Sequence, residues 1–424
     1  FSEIELAHYE PAFDYAIAVN RAEVEAIINN PEAPTFENTI VAMTESGELL
    51  GRVAGLFFVL NNCSTSDQMQ QIAMNITPKL TELENDISLN PELFARVKAV
   101  YDQRKKLKLD EQDMQLLEDT YKGFARSGAL LEGKDKELYR EYSSELSQLT
   151  LKFGQNAQAA TNAFSYNITD PAKVEELPAF VKEGLAAEAE ARGEKGWTVT
   201  LHAPSYSPFM TYSTQRDIKE ALYRAYNTRG IGGETDNVEN IRRIAELRLK
   251  IANLLGYKCY ADYVLEDRMA ESTKTVNGFL AELNKATLNY AKKDVAAITE
   301  YAHSLGFEGE LAPWDFGYYN EKYKEAKYAI NDEQIKPYLQ LENVKNAVFM
   351  LAGKLYGLTF TPVDNIETYH PEATVYEVRD DKGELMAILY LDFFPRESKR
   401  QGAWMPESRG VKDKDGHEPR PSAP

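Results

Sequence analysis

Residues 238–257 read VENIRRIAELRLKIANLLGY. Ile241, Ile244, Leu247, Ile251 and Leu254 recur every three or four positions, with Glu, Arg, Lys and Asn between them. A helix turns once in 3.6 residues, so apolar residues at this spacing share one face. Gly256 follows, and glycine enters the left-handed conformation that ends a helix at least steric cost. The stretch predicts an amphipathic helix closed by a glycine.

The same pattern extends outward in both directions. Upstream, Leu138, Tyr142, Leu146, Leu149 and Phe153 form one stripe within residues 133–160. The first 130 residues read as a series of helices. In PTFENTIVAM (34–43), Thr35 follows Pro34 as an N-cap, and Glu37 falls in the first turn, where the helix dipole favours negative charge. GIGGE (230–234) reads as a glycine turn between helices. Downstream, helices over 275–306 and 343–357 each end at a glycine, and a Tyr- and Lys-rich helix over 314–329 lies between them.

Two regions change period. AFSYNIT (163–169) and WTVTLH (197–202) alternate apolar and polar residues, as half-buried strands do. They predict a small antiparallel hairpin, with one short helix in the Glu- and Ala-rich insertion between them. ATVYEVRD (373–380), DKG and ELMAILYLDFF (384–394) predict a second hairpin with Gly383 in its turn. Its second strand carries Leu385, Met386, Ile388, Leu389 and Leu391 on both faces, which predicts burial on both. VKDKDGHEPRPSAP (411–424) is polar and Pro-rich and reads as loop. The fold class expected is mainly α with a small sheet.

A chain of 424 residues, 43% hydrophobic and 27% charged, can bury a large core and does not have the composition of a disordered segment. Its net charge of −19 argues against a nucleic-acid partner, which needs a basic face. No apolar run approaches the roughly 18 residues of a membrane span. Cys63 and Cys259 stand far apart, which excludes a disulfide framework and reads as two buried thiols. The chain opens FSEIELAHYE without Met, so the sequence does not decide whether a leader precedes it. The compartment expected is the cytoplasm, with the periplasm as the alternative.

A largely helical chain with a small sheet near its end invites a search for a zinc site. H-E-x-x-H on a helix sets two imidazoles one turn apart around the metal, with the Glu activating a water. The five histidines, His8, His202, His303, His370 and His417, never meet that spacing. His417-Glu418 begins the motif, but Pro419 and Pro421 break any helix there. Phosphate loops, G-x-G-x-x-G and G-x-S-x-G are also absent. From residue chemistry alone no catalytic residue and no metal ligand is assigned.

Several stretches together resemble the thimet oligopeptidase and dipeptidyl carboxypeptidase family of zinc metallopeptidases. They are HYEPAF (8–13), NNPEAPTFENTI (29–40), LGYKCYADYVLEDRMA (255–270), WDFGYYNEKY (314–323), ETYHPEATVYEV (367–378) and YLDFFPRESKRQGAWM (390–405). The resemblance runs from Phe1 to about Met405. It implies a two-lobed helical metallopeptidase fold with a small sheet near the cleft. Residues 1–135 and 227–335 would form a distal lobe, 136–226 the first part of a proximal lobe, and 336–424 the start of the catalytic lobe. The family's zinc helix lies beyond the Gly-Ala-Trp segment, so zinc is the implied cofactor, with no ligand in this chain.

The resemblance further implies that Gly402, Ala403 and Trp404 form the edge strand on which a peptide is held. Small residues would let the peptide backbone approach closely. Read by residue type alone, the same three residues are a tight packing spot and a core aromatic. Arg396, Lys399 and Arg400 could attract an acidic substrate terminus, although an internally paired cluster fits the residue types better. His370 reads as a structural hydrogen-bonding residue, Arg268 as internally paired and Met269 as gap-filling.

The expected function is the N-terminal portion of a zinc peptidase that removes dipeptides from the C-termini of short peptides, inactive as this chain alone. Its partners would be short peptides and, as one option, its own catalytic portion on a separate polypeptide. The alternatives are an endo-acting oligopeptidase of the same family and a non-catalytic helical peptide-binding scaffold.

Overall fold

Thr35 shows how the chain starts its helices. Its Oγ1 accepts from the Asn38 amide at 3.0 Å, and Asn38 Oδ1 accepts from the Thr35 amide in return, so both exposed donors at that end are satisfied. The side chains of Ser66, Asn90, Asp110 and Ser272 likewise accept from first-turn amides of the helices Asp67–Ser88, Pro91–Asp102, Glu111–Arg126 and Thr273–Ser304. At the other ends, Gly256, Gly306 and Gly357 follow the helices Val238–Leu254, Thr273–Ser304 and Leu341–Tyr356 with positive φ. This computed structural model describes residues 3–330, 332–407 and 422–423. Helices dominate it, and among the described residues none is long and apolar enough to cross a membrane.

The chain divides into two compact units. The first comprises Phe1–Phe153, Asn240–Val264 and Ala352–Pro424, and the second Gly154–Glu239 and Leu265–Leu351.

In the first unit, the helices Leu6–Ile28, Pro91–Asp102 and Glu111–Arg126 bury Val24, Ile27, Leu93, Val97, Leu117 and Phe124 together. Tyr101 and Tyr121 stack beside them, 3.9 Å between ring centroids. A second core joins Tyr9 and Phe13 to Phe57, Leu60 and Ile76, with Phe13 meeting Phe57 edge to face at 5.6 Å. Along the 238–257 stripe, Ile244, Leu247 and Ile251 are buried, whereas Ile241 is exposed at the helix start.

The second unit holds the short hairpin. Strands β1 (Ser165–Ile168) and β2 (Trp197–Thr200) pair antiparallel, Ser165 opposite Thr200, and the helix Ala179–Ala191 fills the insertion between them. Val199, Phe209, Ile218 and Leu222 form the core behind it. Asp315, with only 2% of its side chain exposed, takes a two-pronged hydrogen bond from Arg216 at 2.9 and 3.0 Å. It also accepts from the Ala312 amide at 3.0 Å, so one carboxylate caps the helix Pro313–Tyr328 and ties it to the helix Arg216–Asn227.

The sheet of the first unit is larger than the hairpin expected. Strand β3 (Thr359–Val363) pairs antiparallel with β4 (Thr374–Arg379), and β4 with β5 (Leu385–Leu391). The short β3, TFTPV, contains Pro362 and gives only a weak strand pattern. Burial falls on β4, where Val375, Tyr376 and Val378 are buried, and not on β5, whose residues are half-buried and whose Met386 is 42% exposed. A strand with full-length neighbours on both edges is sheltered in a way that an apolar strand near the sheet's margin is not. Ser422–Ala423, read as loop from the sequence, forms β6 and pairs parallel with β5 at Ile388 and Leu389. His417 and Glu418 lie outside the described residues. Met269, expected to fill a gap, is fully exposed, and Arg268 is exposed beside it.

Candidate functional site

The chain leaves β5 at Leu391, and the next residue, Asp392, organises the turn after the sheet. Asp392 has 6% of its side chain exposed. Its two oxygens accept from Arg396 at 2.8 and 2.9 Å, from Lys399 at 3.0 Å and from the Tyr369 hydroxyl at 3.0 Å. Lys399 also donates to the Asp392 and Phe394 carbonyls, at 2.6 and 3.1 Å, which closes the FFPRESK turn on itself. Arg396 reaches further, to the carbonyl of Cys63 at the end of the helix Glu48–Cys63.

Two backbone hydrogen bonds complete the attachment. The Thr65 amide donates to the Ser398 carbonyl and the Arg400 amide to the Asn62 carbonyl, both at 2.8 Å. The C-terminal end of that helix therefore receives a cation and an amide at carbonyls that have no partner within the helix. Arg396 and Lys399 are committed to this internal knot, with 12% and 11% of their side chains exposed. They are not available to draw in a substrate carboxylate.

The electrostatics of the knot are set by burial and contact. Burial works against the charge on Asp392, but hydrogen bonds from Arg396, Lys399 and Tyr369 outweigh it, and the carboxyl lies below its usual range. Burial pushes the Cys63 thiol up, and it pushes the Tyr369 hydroxyl up as well, reinforced there by Cys63 and Asp392. Both groups are protonated at neutral pH and serve as neutral members of the knot. His370 accepts from the Glu372 amide at 3.3 Å, the structural hydrogen bond expected of it.

Gly402, Ala403 and Trp404 come directly after this knot. They do not form a strand; residues 401–407 have irregular backbone. Gly402 has φ of 102°, which an extended strand does not accommodate, and the tight turn before it has already turned the chain away from β5. Gly402 and Ala403 are exposed, and a Cβ on Gly402 would meet nothing within 4 Å. Trp404 is half-buried, with its indole N–H sealed from solvent and unpartnered among the described residues. The structure brings the three residues together beyond the sheet, with an open backbone at the first two.

Sequence reasoning missed Asp392, Tyr369 and Cys63. Asp392 and Arg396 stand four apart, a pairing signal that was legible, but it is read on helices and this segment is a turn. Cys63 carries no signal, because the residues it meets lie some three hundred positions away.

Among the described residues no group of three or more His, Cys, Asp or Glu could hold a metal ion. The donors among the described residues do not fit a zinc site.

The profile of peptidase family M3 matches residues 209–422, just over half of the chain. The chain belongs to peptidase family M3. It is 35% identical over 411 residues to the dipeptidyl carboxypeptidase of Escherichia coli (strain K12), covering 96% of this chain and 60% of that protein. It is 31% identical over 429 residues to oligopeptidase A of Salmonella typhimurium, covering 100% of this chain and 63% of that protein. A probable cytosolic oligopeptidase A of Arabidopsis thaliana is 29% identical over 418 residues, covering 96% of this chain and 59% of that protein. The chain thus spans about three-fifths of the length of the relatives it matches.

Proposed function

We propose that this chain supplies the helical body and substrate-side sheet of a peptidase that removes dipeptides from the C-termini of short peptides. The observation that carries the reading is the membership in peptidase family M3 together with 35% identity to a dipeptidyl carboxypeptidase along almost the whole chain. Gly402 and Ala403 are proposed as the place where the peptide backbone lies. Their exposure, the free space over Gly402 and the rigid attachment of the loop through Asp392 support this. Backbone amides and carbonyls there can pair with an extended peptide only if the loop is held still, and the knot supplies that stillness.

Zinc is the metal the family resemblance implies, and the described residues supply no set of ligands for it. The chain as given is therefore proposed to bind no stoichiometric zinc and to hydrolyse no peptide. An endo-acting oligopeptidase is the second reading, favoured by the 31% identity to oligopeptidase A.

Metal analysis of the purified chain and incubation with an N-acetylated hexapeptide, followed by mass spectrometry, test the proposal. Zinc well below one ion per chain and an intact peptide are expected; chelator-sensitive cleavage by this chain would overturn it. For a form that also carries the remaining length of its relatives, loss of a C-terminal dipeptide is expected. Internal cleavage alone would replace the first reading with the second.

A further inference from the structure

The first unit contains a cavity that neither the knot nor the sheet uses. It has a volume of about 440 Å³ and lies between the helices Leu6–Ile28, Glu48–Cys63, Asp67–Ser88 and Glu111–Arg126. Leu80, Leu83, Ile87 and Phe124 supply apolar wall, and no lysine or arginine lines it. That size and lining are typical of small-molecule sites, where a few polar groups orient a ligand against apolar walls.

Three features point to what it takes. Asn20 lines the cavity with only 6% of its surface exposed, and its amide has no hydrogen-bond partner among the described residues. The amide packs against Gly47 and is not sealed from solvent, so its polar atoms are open to bonding with what enters the cavity. Two carboxylates, Glu84 and Asp119, also line the cavity. Asp119 accepts only a neutral hydrogen bond, from Gln115 at 2.8 Å, and Glu84 pairs with no cation among the described residues. The nearby Arg21 and Arg140 are both held by Asp86. Finally, Gly123 stands inside the helix Glu111–Arg126, where glycine weakens a helix relative to alanine. A Cβ there would meet nothing within 4 Å, so the missing side chain leaves the cavity open.

We propose that this cavity binds a small apolar ammonium ion, its hydrocarbon body among Leu80, Leu83, Ile87 and Phe124 and its charged head at Glu84 and Asp119, with Asn20 as a hydrogen-bonding partner. The same chemistry is offered by a free arylalkylamine and by the amino terminus of a peptide that begins with an apolar residue. Such a site would stand whether or not the peptidase reading holds.

Calorimetric titration of the chain with 2-phenylethylamine tests it, with 2-phenylethanol as the uncharged control. Saturable binding of the amine at one site per chain is expected, at least tenfold tighter than the alcohol. Gly123→Leu fills the cavity and is expected to weaken the amine at least tenfold without lowering the thermal midpoint. Glu84→Gln at the rim is expected to weaken it severalfold. The peptide Phe-Gly-Gly, with and without an acetylated amino terminus, separates the two sources: selective binding of the free terminus assigns the peptide, and binding of the amine alone assigns the free amine. No saturation by the amine, equal binding of the alcohol, or unchanged binding in a folded Gly123→Leu variant each overturn the proposal.

Discussion

The Tyr369 hydroxyl donates to Asp392 Oδ2 at 3.0 Å, joining the segment that enters β4 to the residue that leaves β5. Arg396 and Lys399 meet the same carboxylate, so the turn after the sheet is held at a single acidic point. A buried carboxylate between two cations is stabilising only as a set. Removing one member leaves the others desolvated and unpaired, which costs about 3–5 kcal/mol in comparable buried pairs. Asp392→Asn keeps the size of the side chain and loses its charge. Chemical denaturation should show it destabilised by about 3 kcal/mol, and a change below about 0.5 kcal/mol would mean that the knot is ornamental.

The pH dependence of that loss has a definite sign. Hydrogen bonds from Arg396, Lys399 and Tyr369 hold the folded carboxyl below its usual range, against the opposing effect of burial. Its contribution is then fully present above the unfolded value of about 3.9 and fades as the pH falls through the lower folded value. The stability gap between the wild type and Asp392→Asn should be constant near neutrality and should narrow below about pH 4. A gap that widened in acid would show that burial, and not pairing, dominates at this carboxylate.

Local patterning carried most of the fold. The stripe from Ile244 to Ile251, the Thr35 cap, the terminating Gly256, Gly306 and Gly357 and the β4–β5 hairpin are set by neighbours within a few positions, and β1 and β2 show their own alternation although a helix separates them. What the pattern missed depends on distant partners. The apolar run in β5 matches a buried strand, yet β4 occupies the sheltered position because β3 arrives from upstream to cover its other edge. Gly402–Trp404 could not be told from a strand without knowing that Asp392 closes a tight turn before it. Cys63 and Tyr369 enter the site through tertiary packing, which leaves no local trace.

Gly196 and Gly184 offer a paired test of the hairpin in the second unit. Gly196 has φ of +90°, and a Cβ there would sit 2.2 Å from the Ile168 carbonyl oxygen, at the register where β1 meets β2. Gly184 lies inside the helix Ala179–Ala191, and a Cβ there meets nothing within 4 Å. Gly196→Ala should destabilise by about 2 kcal/mol or more, through strain and the clash together. Gly184→Ala should stabilise by up to about 1 kcal/mol. Thermal unfolding of the two variants should move in opposite directions; a shared direction would contradict the hairpin geometry.

Trp404 separates packing from hydrogen bonding in the segment proposed to meet the peptide. Its indole N–H is buried without an acceptor among the described residues, and an unmade buried hydrogen bond costs about 1–3 kcal/mol. Trp404→Phe keeps an aromatic ring and removes that donor, so relief of the unpaired group offsets the lost contacts. Its stability should stay within about 1 kcal/mol of the wild type, while Trp404→Ala, which loses the ring altogether, should cost about 2 kcal/mol in this half-buried setting. Denaturant midpoints for the two variants check this. Equal losses would mean that the indole N–H has an acceptor in solution, which would make it an anchor of the loop and not a tolerated orphan.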